Sequence, residues 1–363
     1  MKLKTEALLK AVKEWRGILF GMISILVLTP CVSFGILAIP SDRSALTDLL
    51  FGLAIFFIMP TTLSSGVVLT REANGNFALA LLLTTVTNLL SIVIIPFVVQ
   101  LLVIFQVYLQ STAADAVVGN STTVAGFANS TDVEVAIDPV QMLIKLSLAI
   151  LLPLVIGKGL LHLPQIGPAV NACTAHTKVE IKLVTTFCLA VAPWLKVSSN
   201  ADGFATLAAE DVFIVIGLGI GVHLVYLAIN FAMTAGGWLA ISERKATVIM
   251  TSQKTLPIAI AVLDFIPPES GFNTGVAAIA CVLAHFVQIL IDAMVASRLA
   301  DVPNGDEDDE NADAKDEDGK SGDEGNDEDG DAAEAAAPDK GSADVETGDI
   351  GTIELTEVGT SRD

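Results

Sequence analysis

Long apolar runs alternate with short polar interruptions along the chain, and the runs have the length of membrane helices. Reading for apolar stretches of about 20 residues predicts eight spans: 17–39, 45–70, 77–108, 140–163, 180–199, 211–235, 246–266 and 275–298. Two of them are broken near the middle. The first reads FGLAIFFIMPTTLSSGVVLT, interrupted at Met59-Pro60-Thr61-Thr62. The second reads ATVIMTSQKTLPIAIAVLDFIP, and its centre is Ser252-Gln253-Lys254-Thr255-Leu256-Pro257. Proline removes one backbone donor and frees the carbonyl one turn earlier. A lysine at bilayer depth costs about 2.5–3.5 kcal/mol even on the lenient insertion scale. Lipid tolerates such a stretch only where protein or a water-filled cavity surrounds it. Two interrupted spans, one in each half of a chain, point to a transporter binding site.

Composition agrees with a polytopic membrane protein: 363 residues, 52% hydrophobic, mean hydropathy +0.65. The net charge of −21 belongs almost wholly to one end of the chain. Residues 301–363 hold 24 Asp and Glu against 4 Lys and Arg, whereas residues 1–300 hold 17 acids and 16 bases. Three parts follow: a basic N-terminal segment 1–16, a transmembrane domain 17–298, and a disordered acidic tail 299–363. The tail has too little apolar surface to fold, and its run Asp306-Glu307-Asp308-Asp309-Glu310 lacks the spacing of a calcium-binding loop.

Lys and Arg set the orientation. With a cytoplasmic N-terminus, the inner side collects Lys2, Lys4, Lys10, Lys13, Arg16, Arg71, Lys158, Lys178, Lys182, Arg244, Lys245 and Arg298. The outer side collects Arg43 and Lys196, with Lys145 just inside a span. The tail is then cytoplasmic and the loop 109–139 faces out. That loop has no Lys or Arg and carries glycosylation sequons at Asn120 and Asn129. The four cysteines, Cys31, Cys173, Cys188 and Cys281, have no metal-site spacing and read as small buried hydrophobes. The first residues lack the apolar core of a secretory signal. No nucleophile–base motif, phosphate loop or metal cluster is visible, so neither an enzyme nor a nucleic-acid partner is expected, and no cofactor.

The broken segments resemble the bile acid:sodium symporter superfamily, within it the subgroup of sodium/bile acid cotransporter 7 and the fungal regulators of cytosolic calcium. The resemblance lies in Met59-Pro60-Thr61-Thr62-Leu63-Ser64-Ser65-Gly66 with the following Gly75-Asn76 turn, and in Pro153-Leu154-Val155-Ile156-Gly157. It continues in Thr185-Thr186-Phe187-Cys188 and in Ser252-Gln253-Lys254-Thr255-Leu256, where Gln253 stands at the family's usual histidine. His285 and Gln288 fall on a tenth-helix pattern, with Phe286 at its proline. The resemblance implies an all-α inverted-repeat fold of ten helices whose two broken helices cross near the midplane. Eight of the ten are present here. Lys2-Leu3-Lys4-Thr5-Glu6 is similar to the motif after the family's second helix, which implies either that two further helices precede Met1 or that the protein is truncated by them.

The candidate binding residues for substrate or ion are Pro60, Thr61, Thr62, Ser64, Ser65, Thr84, Asn88, Ser252, Gln253, Lys254, Thr255, His285 and Gln288. In the first break, freed carbonyls and hydroxyls line a polar cavity with a half-helix N-terminus near Thr62; alternatively Ser64, Ser65 and Gly66 allow close helix packing. Thr84, Asn88 and Ser91 share one helix face, either toward a site or for interhelical hydrogen bonds. Thr84 is similar to a sodium-site threonine of the family. Gly66 and Ala80 replace a sodium-ligating asparagine and a serine, and no carboxylate precedes Lys254. Lys254 therefore reads as a tethered cation in the ion's place or as the partner of an anionic substrate; the alternative is a structural lysine. His285 is a proton relay or a satisfied structural histidine. Asp264 and Asp292 read as interfacial. The coupling ion is sodium or a proton.

Two functions follow. The first is a secondary transporter of a small organic anion. The second, from the calcium-regulator branch, is a non-transporting regulator of calcium influx with calcium-entry proteins as partners. The expected surroundings are a lipid bilayer, in the plasma membrane or else along the secretory pathway.

Overall fold

A computed structural model describes residues 15–304, apart from 63, 119–137, 163–177, 200–202, 204–206 and 268–269. The segment 1–14, the sequons at Asn120 and Asn129, Cys173 and the acidic tail therefore lie outside the described residues.

The described residues form helices and no strands. In chain order these are α1 (Trp15–Leu37), α2 (Ser44–Phe57), α3 (Ser65–Glu72), α4 (Phe77–Val118), α5 (Pro139–His162), α6 (Lys178–Ser198), α7 (Ala209–Met233), α8 (Ile241–Ser252), α9 (Leu256–Phe265) and α10 (Thr274–Ala300). Among the described residues, six stretches are long and apolar enough to cross a membrane: α1, the bulk of α4 and of α5, α7, α8 with α9, and α10. The expected eight also counts α2 with α3, and α6. One boundary moves. The third helix does not stop near 108 but runs on to Val118, about 60 Å at the α-helical rise.

Packing centres on α2 and α10. Every residue from Leu49 to Met59 is buried. Gly52 lies so close to α10 that a Cβ there would stand 2.0 Å from the Ala277 carbonyl oxygen. Small residues on α10, Ala277, Ala278 and Cys281, permit this approach, as in other membrane helix pairs. The Cys281 thiol donates to the Gly52 carbonyl at 3.2 Å, and Phe51 stacks on Phe272 at 3.9 Å. Cys281 is thus buried as expected, but Cys31 and Cys188 are exposed on the outer faces of α1 and α6. An apolar environment accepts a thiol on either face.

Helix α1 is not regular. Residues Ser24–Leu28 form a π-helical turn, and the Thr29 amide reaches back to the Ser24 carbonyl. Pro30 follows at once. Its missing N–H disturbs the ladder, and the Thr29 hydroxyl satisfies the Ile25 carbonyl at 2.7 Å. Such π-turns concentrate at functional sites.

The helix ends segregate as the charge pattern requires. At one end Arg43 pairs with Glu210 and, at 2.7 Å, with Asp211, while Lys196 pairs with Asp264 at 2.6 Å. At the other, the Asn76 amide donates to Ser242, Asn304 to the Asn74 carbonyl and Lys245 to the Val302 carbonyl. Asp264 is at a span end as expected. Asp292 is not interfacial: it is fully buried and paired, because α10 continues past it by more than two turns and packs on α7.

Candidate functional site

Both predicted interruptions are present, and they meet. The first lies between Phe57 and Ser65, the second between Ser252 and Leu256. Gln253 and Thr255 are extended, with φ, ψ of −79°, 145° and −93°, 120°. Pro257 falls in the first turn of α9, where a missing N–H leaves no helical bond unmade. The Thr255 amide donates to the Pro60 carbonyl at 3.1 Å, tying one break to the other.

Several backbone groups released by the breaks find partners within the protein, as burial demands. Asn88 on α4 donates to the Thr61 carbonyl at 3.0 Å and to the Thr84 carbonyl at 2.7 Å. Gln288 on α10 accepts from the Lys254 amide at 3.0 Å and donates to the Lys254 carbonyl at 3.2 Å. One side-chain amide thereby fixes both polar backbone groups of the lysine.

The side chain of Lys254 has no exposed surface. Its Nζ donates to Thr29 Oγ1 at 2.6 Å and lies 5.7 Å from the centre of the Tyr226 ring. Among the described residues no carboxylate stands within ion-pair distance of it. Tyr226 Oη donates to the Thr29 carbonyl at 2.8 Å, and Ser24 donates to Asn230 Oδ1 at 2.6 Å. The π-turn of α1 is therefore held against α7 by buried hydrogen bonds, and Thr29 presents its hydroxyl to the lysine.

Three buried polar atoms around the breaks have no partner: Thr61 Oγ1, Asn88 Oδ1 and Gln253 Nε2. Gln253 Oε1 accepts from Ser65 at 3.2 Å, and Ser65 Oγ lies 3.1 Å from Thr62 Oγ1. Gly66 faces the same cluster; a Cβ there would stand 2.9 Å from both Gln253 Oε1 and Met250 Sδ.

The structure thus brings together Pro60, Thr61, Thr62, Ser65, Asn88, Gln253, Lys254, Thr255 and Gln288. Others stand apart. The second half-helix begins at Ser65 rather than near Thr62, which leaves Ser64 exposed outside the cluster. Thr84 and Ser252 are buried, but their hydroxyls bond back to carbonyls of their own helices. His285 is not among these: its ring meets Phe56 edge-on at 5.9 Å and its buried Nδ1 has no partner, but it also interacts with the Lys254 backbone and so borders the crossing. Thr29, Tyr226 and the pair His223–Asp292 were not anticipated. Thr29-Pro30 carried the signal used elsewhere, a hydroxyl beside a midspan proline. His223, Tyr226 and Asn230 have helical spacing along one face.

A cavity of about 290 Å³ lies at the end of the molecule that carries Arg43, lined among others by Ser41, Asp42, Thr47, Gln106 and Gln110. The crossing itself is closed: Thr61, Ser252, Gln253 and Lys254 have no exposed surface. No group of three or more His, Cys, Asp or Glu among the described residues is placed to hold a metal ion.

Polar groups kept inside an apolar helical body, where two interrupted helices meet, are an arrangement found in membrane transporters. The chain belongs to the SBF-like CPA transporter family, whose model matches residues 1–301. It is 34% identical over 304 residues to the Arabidopsis thaliana protein named "Probable sodium/metabolite cotransporter BASS4, chloroplastic", covering 82% of this chain and 62% of that one. A protein of the same name from Oryza sativa subsp. indica is 29% identical over 308 residues, 82% of this chain and 65% of that one. "Solute carrier RCH1" of Candida albicans is 22% identical over 249 residues, 66% of this chain and 55% of that one. The chain spans less than two thirds of the length of these relatives.

Proposed function

We propose that this protein is a secondary transporter that binds a small organic anion at the crossing, with the Lys254 ammonium as its counter-charge. Lys254 is the observation that carries the reading. An ammonium has three donors; one meets Thr29, and no carboxylate among the described residues takes the others. A buried charge without a partner is costly, and an anionic guest removes that cost. The unpartnered Gln253 amide offers a further donor, and Thr61 Oγ1 a hydroxyl that serves either way.

Transport then works by alternating access. The crossing is occluded in this conformation, so solute enters only when the helices part. The ion pairs of Arg43 and Lys196 hold one end shut, and the bonds from Lys245, Asn304 and Asn76 hold the other. A sodium ion at the crossing would stand beside a like charge with no carboxylate to offset it. That supports transport without sodium at this position, whatever the sodium/metabolite names of the relatives denote for them. The reading keeps the plasma membrane, with the tail in the cytosol; fractionation of tagged protein tests this against an organelle such as the one the relatives' names give.

The experiment is reconstitution of the full chain in lipid vesicles and counterflow of labelled pyruvate, 2-oxoglutarate and taurocholate. Exchange of at least one anion above empty vesicles is expected. Vesicles that exchange none of these would favour the regulator of calcium entry instead.

A further inference from the structure

His223 and Asp292 form a second buried ionisable group that the solute site does not use. His223 Nε2 lies 2.9 Å from Asp292 Oδ1, and the two side chains are 1% and 0% exposed. The pair joins α7 to α10 well inside the helical body. Asp292 is about 12 Å, and His223 about 15 Å, from the nearer ends of their helices at the α-helical rise. His223 Nδ1 and Asp292 Oδ2 have no hydrogen-bond partner although both are buried.

The pair is linked to Lys254 along two routes. On α10, Asp292 is one turn from Gln288, which grips the Lys254 backbone. On α7, His223 is one turn from Tyr226, which bonds the Thr29 carbonyl, and the Thr29 hydroxyl accepts from Lys254. The helices packed against α7 and α10 carry their other charged side chains toward their ends. Among the described side chains these are Arg16 on α1, Asp48 on α2, Arg71 and Glu72 on α3, Lys196 on α6, Glu243, Arg244 and Lys245 on α8, and Asp264 on α9. On α7 and α10 themselves, Glu210, Asp211 and Arg298 are terminal too. Among the described residues, the titratable groups placed away from the helix ends with the pair are thus Tyr226, Lys254, Cys281 and His285.

Charge counting assigns the pair a task. A neutral histidine beside an ionised aspartate leaves one uncompensated negative charge in a low dielectric, which is unfavourable. A proton on Nδ1 makes the histidine cationic and the pair neutral. When the helices part and water arrives, the Nδ1–H bond breaks, the proton passes to water, and the pair gains one negative charge. The Lys254 ammonium compensates that charge only while no anion occupies it. An anion bound at Lys254 therefore calls for the proton at His223.

We propose that the His223–Asp292 pair is a proton-binding site that couples movement of the organic anion to proton symport. This rests on the reading of Lys254 as the anion's counter-charge.

Full-length protein in vesicles, with labelled pyruvate, 2-oxoglutarate and taurocholate as probes and no sodium, tests it. An inward acid gradient of two pH units should speed uptake of the transported probe about fivefold or more, with matching alkalinisation outside. In Asp292→Asn and in His223→Gln, which keep the shape and a hydrogen bond, that ratio should fall to about one. A wild-type ratio near one, or an undiminished ratio in both variants, overturns the proposal. A separate measurement needs no transport: NMR of ring-labelled histidine in nanodiscs, with His223 assigned by its loss in His223→Gln. His223 should pass between imidazolium and imidazole as pH changes, and Asp292→Asn should shift that transition. A histidine that stays in one form from pH 5 to pH 9 sinks the proton site even if counterflow succeeds. A titrating His223 in a protein that moves no probe sinks the transport reading and leaves the proton site standing.

Discussion

Nζ of Lys254 donates to the hydroxyl of Thr29 at 2.6 Å, across 225 residues of sequence. This bond joins the second interrupted span to the residue that follows the π-turn of the first helix, and both its partners have no exposed surface. It gives the buried lysine an acceptor but not a counter-ion. On the proposed reading, this holds the site in shape and leaves the charge for the anion.

Thr29→Val keeps the shape of the side chain and removes the acceptor. Hydrogen bonds to charged groups are worth about 1.5–3 kcal/mol, so a lowered melting temperature in detergent is expected, with a weaker apparent affinity for the transported anion. Thr29→Ser should restore most of both. Equal behaviour of Thr29→Val and wild type would show that the hydroxyl does not hold the lysine.

Gln288→Met removes both bonds to the Lys254 backbone at nearly constant volume. Each orphaned buried group costs about 1–3 kcal/mol. Uptake should fall at least tenfold at matched abundance, and unfolding should come at lower temperature. Retained uptake would mean that the Lys254 backbone finds other partners.

Gly52→Ala places a methyl against the backbone of Ala277, where it does not fit. Overpacking typically costs about 1–3 kcal/mol, and separation of α2 from α10 should lower folded yield in a fluorescence-detected sizing assay. Gly221→Ala is the control, because a Cβ there meets nothing within 4 Å. A smaller loss from Gly52→Ala than from Gly221→Ala would contradict the packing.

Topology follows from the ends of the helices. Single cysteines at Asp42 and at Asn304, in a chain without its native cysteines, should react with an impermeant maleimide from opposite sides of the membrane, Asp42 from outside. This is the outcome of eight crossings with the N-terminus inside. Labelling of both from one side would change the number of crossings and the assignment of the tail.

Much of this architecture was legible from residue patterns. Apolar length marked the spans, and Pro60 and Pro257 with Lys254 marked the two breaks, because each violates the rules for a helix in lipid. What remained hidden depends on packing between helices. Asp292 stands six residues from the expected span end, so distance along the sequence suggested an interface. Its burial comes from α7, which brings His223 to it. Thr84 fell on the right face, but its hydroxyl turns back to Ala80 on its own helix, which periodicity does not reveal. Ser64 sits one residue before the half-helix starts and therefore points out of the cluster.

The most direct measurement compares anion binding and uptake by Lys254→Met and Lys254→Arg with wild type at matched abundance. Methionine keeps the apolar stem and removes the charge; arginine keeps the charge on a bulkier, planar head. Lys254→Met should bind the transported anion at least tenfold more weakly and take up almost none, while Lys254→Arg keeps part of both. Wild-type binding and uptake by Lys254→Met would contradict the assignment of the crossing as the anion site.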